Sequence, residues 1–298
     1  MSTLPRVRWT FHATAVVRNY AEALAWLERF CGLRALEYSD AQDSLVARRG
    51  GVTWIGDAGI ELMEPTLPEG APAAFLARYG TGMYGVALQV ENLAEAATHL
   101  QACGAEFVGD PGRGFIFTKP QHTASVHLEW ADADFSAFDP HFGTKLPPFK
   151  CEPLIDVPRV AYFGALVRDP AAVAQRFEEL WAPPVLFEKD SGDPAQAVLG
   201  FSLVDAALTL FRLPASEEEM RRVWGPLAFR PRVHLMALRV YDLEKTADVL
   251  RREGIRILRG EPAQGELITH PDDTAGILLA WTDRDLPRDP RGPLRDPS

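Results

Sequence analysis

Four side chains of this chain are of types that do chemistry together: His12, Glu61, His127 and Glu129. Imidazole and carboxylate groups either hold a divalent ion or move protons between carbon and oxygen, so their arrangement decides what is feasible. Strand periodicity says which way each one faces, because successive side chains of a strand alternate between its two faces. Along Phe11-His12-Ala13-Thr14-Ala15, the residues Phe11, Ala13 and Ala15 take one face, and His12 and Thr14 take the other. In Gly59 to Met63, Ile60 and Leu62 form the apolar row and Glu61 falls opposite, with Met63. In Val126 to Trp130 the apolar row is Val126, Leu128 and Trp130, which leaves His127 and Glu129 together on the other face. Each residue alone has a plainer reading, as a hydrogen-bonded pocket histidine, a solvated strand residue or the polar edge of a sheet. Their joint placement, away from the rows that pack on helices, is what points to a site.

The elements that must carry them are written twice. Val16-Val17-Arg18-Asn19 recurs as Leu166-Val167-Arg168-Asp169, and Val86-Ala87-Leu88-Gln89-Val90 as Met236-Ala237-Leu238-Arg239-Val240, both at an offset of 150 residues. Thr118, Pro120, Thr123, Ala124 and Trp130 match Thr269, Pro271, Thr274, Ala275 and Trp281 at an offset of 151. Copies this long read as two homologous domains, not as solenoid repeats. The first copy reads as a strand over Phe11 to Val17 and a helix over Tyr20 to Cys31 stopped by Gly32. Strands near Leu45 to Arg49, Val52 to Ile55 and Gly59 to Met63 follow, completing one β-α-β-β-β unit. A helix over Ala71 to Tyr79 leads to a second unit: strand Tyr84 to Val90, helix Leu93 to Cys103, and strands near Glu106 to Val108, Gly114 to Phe117 and Ser125 to Trp130. The second copy repeats the scheme, with helices over Pro170 to Trp181 and Leu243 to Glu253 and a last strand over Gly276 to Trp281. The expected domains are 1–131 and 158–283, joined by an ordered, aromatic-rich linker at 132–157 and followed by a disordered tail at 284–298.

Composition narrows the function classes. With 298 residues, 47% of them hydrophobic, the chain can bury two cores of ordinary domain size. A formal charge of −10 speaks against nucleic acid or an anionic membrane as partner. Cys31, Cys103 and Cys151 are odd in number and lack a CxxC spacing, so neither a disulfide framework nor a zinc knuckle is expected, and a reducing cytoplasm is the default. The amino terminus lacks the apolar core of a signal peptide, and no apolar stretch is long enough to span a bilayer.

Three stretches, Gly59 to Pro65 (GIELMEP), Gly80 to Val90 (GTGMYGVALQV) and Phe117 to Trp130 (FTKPQHTASVHLEW), give the chain a resemblance to the vicinal oxygen chelate superfamily. That superfamily is the glyoxalase, bleomycin-resistance and extradiol-dioxygenase group; methylmalonyl-CoA epimerase and glyoxalase I are its members closest in motif. The resemblance implies an α+β fold in which tandem β-α-β-β-β modules form two cup-shaped open sheets. It implies a divalent metal (Zn, Ni, Co, Mn, Mg or Fe) on the concave wall, holding two neighbouring substrate oxygens, and no organic cofactor. By position, His12 matches the family's first ligand, Glu61 the second and Glu129 the last, while Gly85 stands where the family places a further histidine. One imidazole, two carboxylates and water would complete the shell, or His127 would substitute.

With metal bound, the resemblance implies an isomerase, epimerase or lyase acting on a small carbonyl or acyl-thioester substrate through an enolate, with Glu129 or Glu61 as base. Its rival is a metal-free binding protein using the same cup for a hydrophobic or aromatic molecule, with Trp54, Met63, Gly85, Gln89, Phe115 and Phe117 as lining. Extradiol dioxygenation is less favoured: it uses two histidines and a carboxylate on iron, usually in the second domain. The matching positions there are Tyr162, Thr209 and Ala280, a degenerate site. A small molecule is the expected partner on either reading, and a homodimer is an open assembly.

Overall fold

The structure, a computed structural model, describes residues 3–35, 39–41, 47–137 and 139–294. The first half contains β1 (Val7–Val16), α1 (Tyr20–Cys31), β2 (Arg34–Ala35), β3 (Ser39–Ala41), β4 (Arg48–Ile55), β5 (Ala58–Pro65), α2 (Ala71–Tyr79), β6 (Gly82–Val90), α3 (Leu93–Ala102), β7 (Phe107–Asp110), β8 (Phe115–Thr118) and β9 (Leu128–Ala131). The second contains β10 (Arg159–Val167), α4 (Pro170–Leu180), β11 (Val185–Glu188), β12 (Ala197–Ser202), β13 (Ala207–Arg212), α5 (Glu217–Trp224), β14 (Arg232–Arg239), α6 (Leu243–Arg252), β15 (Ile257–Glu261), β16 (Glu266–Thr269) and β17 (Leu278–Thr282).

The helices start where short polar side chains can satisfy the first free amides. Asn19 accepts from the Glu22 amide and Asn92 from the Glu95 amide. Asp169 and Asp242, the matching residues of the second copy, accept from the Ala171 and Ala172 amides and from the Lys245 amide. Each such cap is worth about 1 kcal/mol. Helix α1 stops at Gly32, whose φ of 68° is the left-handed turn that glycine adopts without strain.

Each half forms its own sheet. The first runs β2-β4-β5-β1-β6-β9-β8-β7, with β3 also on β4, and the second runs β11-β12-β13-β10-β14-β17-β16-β15. The two units of a half therefore pair with each other, β1 antiparallel to β6 and β10 antiparallel to β14. The apolar rows of both sheets and helices α1, α3, α4 and α6 merge into one core spanning the halves, including Leu27, Leu62, Leu100, Trp130, Phe177, Leu250 and Trp281. Across the halves, Arg29 of α1 pairs with Glu253 just after α6 at 2.5 Å, and His99 of α3 meets the Glu179 carbonyl of α4 at 3.0 Å. No helix among the described residues is long and apolar enough to cross a membrane.

Several elements differ from the sequence reading, which did not place α5, β2 or β3. Strand β4 runs unbroken through Gly50-Gly51, which the reading took as a break between two strands. A Cβ on Gly50 would fall 1.9 Å from the Leu62 carbonyl oxygen, so glycine here serves strand pairing, not a turn. Leu45 and Val46 lie outside the described residues. Strand β9 begins at Leu128 and not at Ser125, because Ala124 and Ser125 turn with φ of 50° and 75°. The segment 284–294 was expected to be a structureless tail, yet Arg291 binds Asp57 and the Val160 and Ala161 carbonyls, and Asp285 pairs with Arg239. Residues 295–298 lie outside the described residues.

Candidate functional site

Pairing between β5, β1, β6 and β9 brings the expected residues together. Glu61 sits opposite Thr14, His12 opposite Ala87, and Ala87 opposite Glu129. His12, Glu61, His127 and Glu129 all line one cavity of about 280 Å³ in the concave face of the first sheet. Of the expected lining, Met63, Gly85, Phe115 and Phe117 reach this cavity. Trp54 and Gln89 do not: Trp54 is buried with its ring 5.8 Å from that of His141, and the Gln89 amide donates to the Ala133 carbonyl.

Sequence reasoning missed several members. Phe11 was placed on the helix-facing row, but β1 carries an irregularity between Thr10 and His12, so Phe11 also lines the cavity and stacks on Phe135 at 3.9 Å. A bulge of this kind re-aims a side chain and leaves no trace in an alternating pattern. Thr14, Arg48, Tyr84, Thr118 and Lys119 are further polar members of the lining. Thr14 could have been found, since it shares the face of His12. Finding Arg48 requires the β4–β5 register, in which Val52 lies opposite Glu61 and Arg48 opposite Pro65.

The polar groups form an ordered chain. The Arg48 Nε lies 2.8 Å from Glu61 Oε1, and the Thr14 hydroxyl donates to Glu61 Oε2 at 3.3 Å. The Thr14 oxygen also lies 3.2 Å from His12 Nδ1, and when its one proton goes to Glu61 it accepts there from the tautomer that carries its hydrogen on Nδ1. Nε2 is then the unprotonated nitrogen, and it lies 3.8 Å from Glu129 Oε2. That gap is too long for a direct hydrogen bond.

Burial fixes the protonation states. His12 is held below its ordinary value chiefly by desolvation, with Glu61 opposing and Arg48 reinforcing the shift, so the ring is neutral. Glu129 is driven well above the ordinary carboxylate range, first by burial and then by the charge of Glu61, with Arg48 only partly opposing, a shift that favours its neutral form. His127 is pushed down to about 4 by burial and by the positive charges of Arg232 and Arg78, and its ring lies 4.6 Å from that of Tyr84.

The residues present do not fit a divalent ion. No group of three or more His, Cys, Asp or Glu side chains among the described residues is disposed to hold one. A guanidinium already sits on Glu61. The missing histidine could not be restored in place, since a Cβ on Gly85 would lie 2.7 Å from the His127 carbonyl oxygen, which is bonded to the Val86 amide. The four residues expected to hold metal, His12, Glu61, Glu129 and His127, do meet in one cavity, with the Arg48 guanidinium against one of the two carboxylates.

In the second half, Tyr162, Thr209 and Ala280 occupy the equivalent register, with Thr209 opposite Gly164 as Glu61 is opposite Thr14. Its concave face is filled by Trp224, Met220 and Val223 of α5, packed with Phe211, Leu235 and Leu278.

Comparison with known proteins agrees with this architecture. The family described as Glyoxalase/Bleomycin resistance protein/Dioxygenase superfamily matches residues 11–117. That match lies within the first half of the chain, and both halves have the same paired-module fold. A mutant 4-hydroxymandelate synthase from Streptomyces coelicolor is similar over 97% of this chain and 94% of its own, with a TM-score of 0.66 and 14% identity. At that identity the likeness establishes the fold alone. Methylmalonyl-CoA epimerase from Mycobacterium tuberculosis is 20% identical over 45% of this chain and 93% of its own, with a TM-score of 0.41. The Streptomyces coelicolor epimerase with 2-nitronate-propionyl-CoA is 15% identical over 43% of this chain and 98% of its own, with a TM-score of 0.39. No curated protein sequence matches the chain.

Proposed function

We propose that the first cup is a metal-independent proton-transfer site acting on a small, largely apolar carbonyl compound. The observation that carries this reading is the chain Arg48–Glu61–Thr14–His12, which leaves an unprotonated Nε2 facing Glu129 across an open cavity. His12 takes the proton α to the carbonyl and becomes imidazolium, and the C–H electrons move into the enolate. The enolate oxygen receives a hydrogen bond from the neutral Glu129 carboxyl, so the developing charge is met by a donor that costs no reorganisation. Return of the proton to carbon completes an exchange or isomerisation. The roles differ from those expected of the carboxylates: Glu61, engaged by Arg48 and Thr14, positions the base, and Glu129 acts as acid.

A cavity of about 280 Å³ lies at the low end of small-molecule pockets, about 300–1,000 Å³, so the reacting portion of the substrate is small. Phe11, Phe115, Phe117 and Met63 favour an apolar body. The test is α-proton exchange in heavy water, followed by proton NMR, across short 2-oxo acids, ketones and acyl thioesters. Exchange by wild type that is lost in His12→Ala supports the reading. Tight binding of a cavity-sized compound without exchange by any member of the panel would replace it with a binding protein of the same fold.

A further inference from the structure

We infer that Arg48 occupies the place of a cation in this cup and thereby excludes divalent metal from His12, Glu61 and Glu129. The argument starts from the donor set. An imidazole nitrogen and two carboxyl groups converge on one cavity, and His12 Nε2 and Glu129 Oε2 lie 3.8 Å apart. Donors about 2 Å from a shared ion lie roughly 3–4 Å from each other, and the His12–Glu129 pair alone has that spacing. What sets this cup apart is the guanidinium: Arg48 Nε lies 2.8 Å from Glu61 Oε1, in contact with the carboxylate that would otherwise turn to an ion. The Arg48 side chain is 17% exposed and that of Glu61 10%, so the pair is shielded from solvent, where ionic interactions are least screened.

The sequence supplies the means. Arg48, Gly50 and Val52 share one face of β4, and Val52 is opposite Glu61. The guanidinium charge here lies directly against the Glu61 carboxylate and offsets it. Bringing in a dication beside it would add like-charge repulsion inside a poorly screened cavity.

The inference concerns the same site as the proposed proton transfer but rests only on the contact between Arg48 and Glu61. It is therefore read by metal uptake and not by turnover, and the two can fail separately. Full-length protein, stripped with chelator and dialysed, is titrated calorimetrically with Zn²⁺, Mn²⁺, Co²⁺ and Ni²⁺. Wild type is expected to take up no stoichiometric metal, and Arg48→Met and Arg48→Gln to bind one equivalent that is lost again when His12→Ala is added. Circular dichroism and a thermal melt establish that each variant is folded. One equivalent bound by wild type and lost in His12→Ala overturns the inference, as do folded Arg48 variants that bind no more metal than wild type. If neither Arg48 variant folds, the wild-type and His12→Ala titrations decide it by the same criterion.

Discussion

The single hydroxyl proton of Thr14 governs the chemistry of His12. Because it is given to Glu61, the imidazole must donate from Nδ1 and present Nε2 to the cavity. Thr14→Val removes that constraint without changing shape, and proton exchange is expected to fall about 10- to 100-fold, the range in which partners that orient a functional imidazole act. Thr14→Ser should restore it, and equal activity in all three proteins would show that the tautomer is set elsewhere. At Gly85 the prediction is one of stability. An alanine Cβ would meet the His127 backbone at 2.7 Å, and that carbonyl is committed to the Val86 amide, so the strands must part. Gly85→Ala is expected to cost about 1–3 kcal/mol in chemical denaturation, the usual scale of overpacking. No loss would mean that β9 is free to shift and that the absence of a histidine there has another cause.

Among the elements, the helices were the most legible in the sequence. Both ends of α1 and α2 were readable, since a short polar cap or a proline opens each and glycine follows it. The cap at Asp242 predicts that Asp242→Ala costs about 1 kcal/mol, measured as a shift in denaturation midpoint at constant slope, and that Asp242→Asn recovers most of it. A cost indistinguishable from zero would mean that α6 is held by packing alone. Strands were legible in their alternation and not in their offsets. Alternation placed His12, Glu61, His127 and Glu129 on one wall, whereas Arg48 and Phe11 depend on how β4 slides against β5 and on a bulge in β1. Neither is encoded in a period of two residues. The glycines misled in β4 for a related reason: local sequence marks glycine as a break, while the close Leu62 backbone is a tertiary fact.

For the whole molecule, the offset of 150 residues revealed the duplication, and the asymmetry of the copies showed which cup to examine. What it could not reveal is how the halves are lashed together, because those contacts join unlike positions. Arg232 of β14 donates to the Tyr79 and Met83 carbonyls, and Arg176 of α4 to the His122 and Cys103 carbonyls. The His141 ring lies between Asp139 at 2.8 Å and Asp205 of the second half at 2.9 Å, stacked on Trp9. Burial alone would lower the His141 pKa, but its hydrogen bonds to the two aspartates outweigh burial and raise it to about 9. A free histidine titrates near about 6.5, so this strap contributes fully below about pH 6.5 and is lost as the pH climbs through about 9. The stability difference between wild type and His141→Gln in urea should therefore be largest at pH 6 and shrink steadily toward pH 9.5. A difference that is constant, or that grows with pH, would contradict a charged His141.

The account turns on proton transfer without metal in the first cup, and α-proton exchange tests it most directly. In chelator-treated protein and heavy water, wild type is expected to exchange the α-proton of at least one small carbonyl compound of the panel. His12→Ala should reduce the rate by about 100-fold or more, within the usual contribution of a general base. Glu129→Gln, which keeps a weaker donor toward the carbonyl, should retain binding while losing most of the rate. Exchange that appears only when divalent metal is added back, or that survives undiminished in His12→Ala, would contradict it.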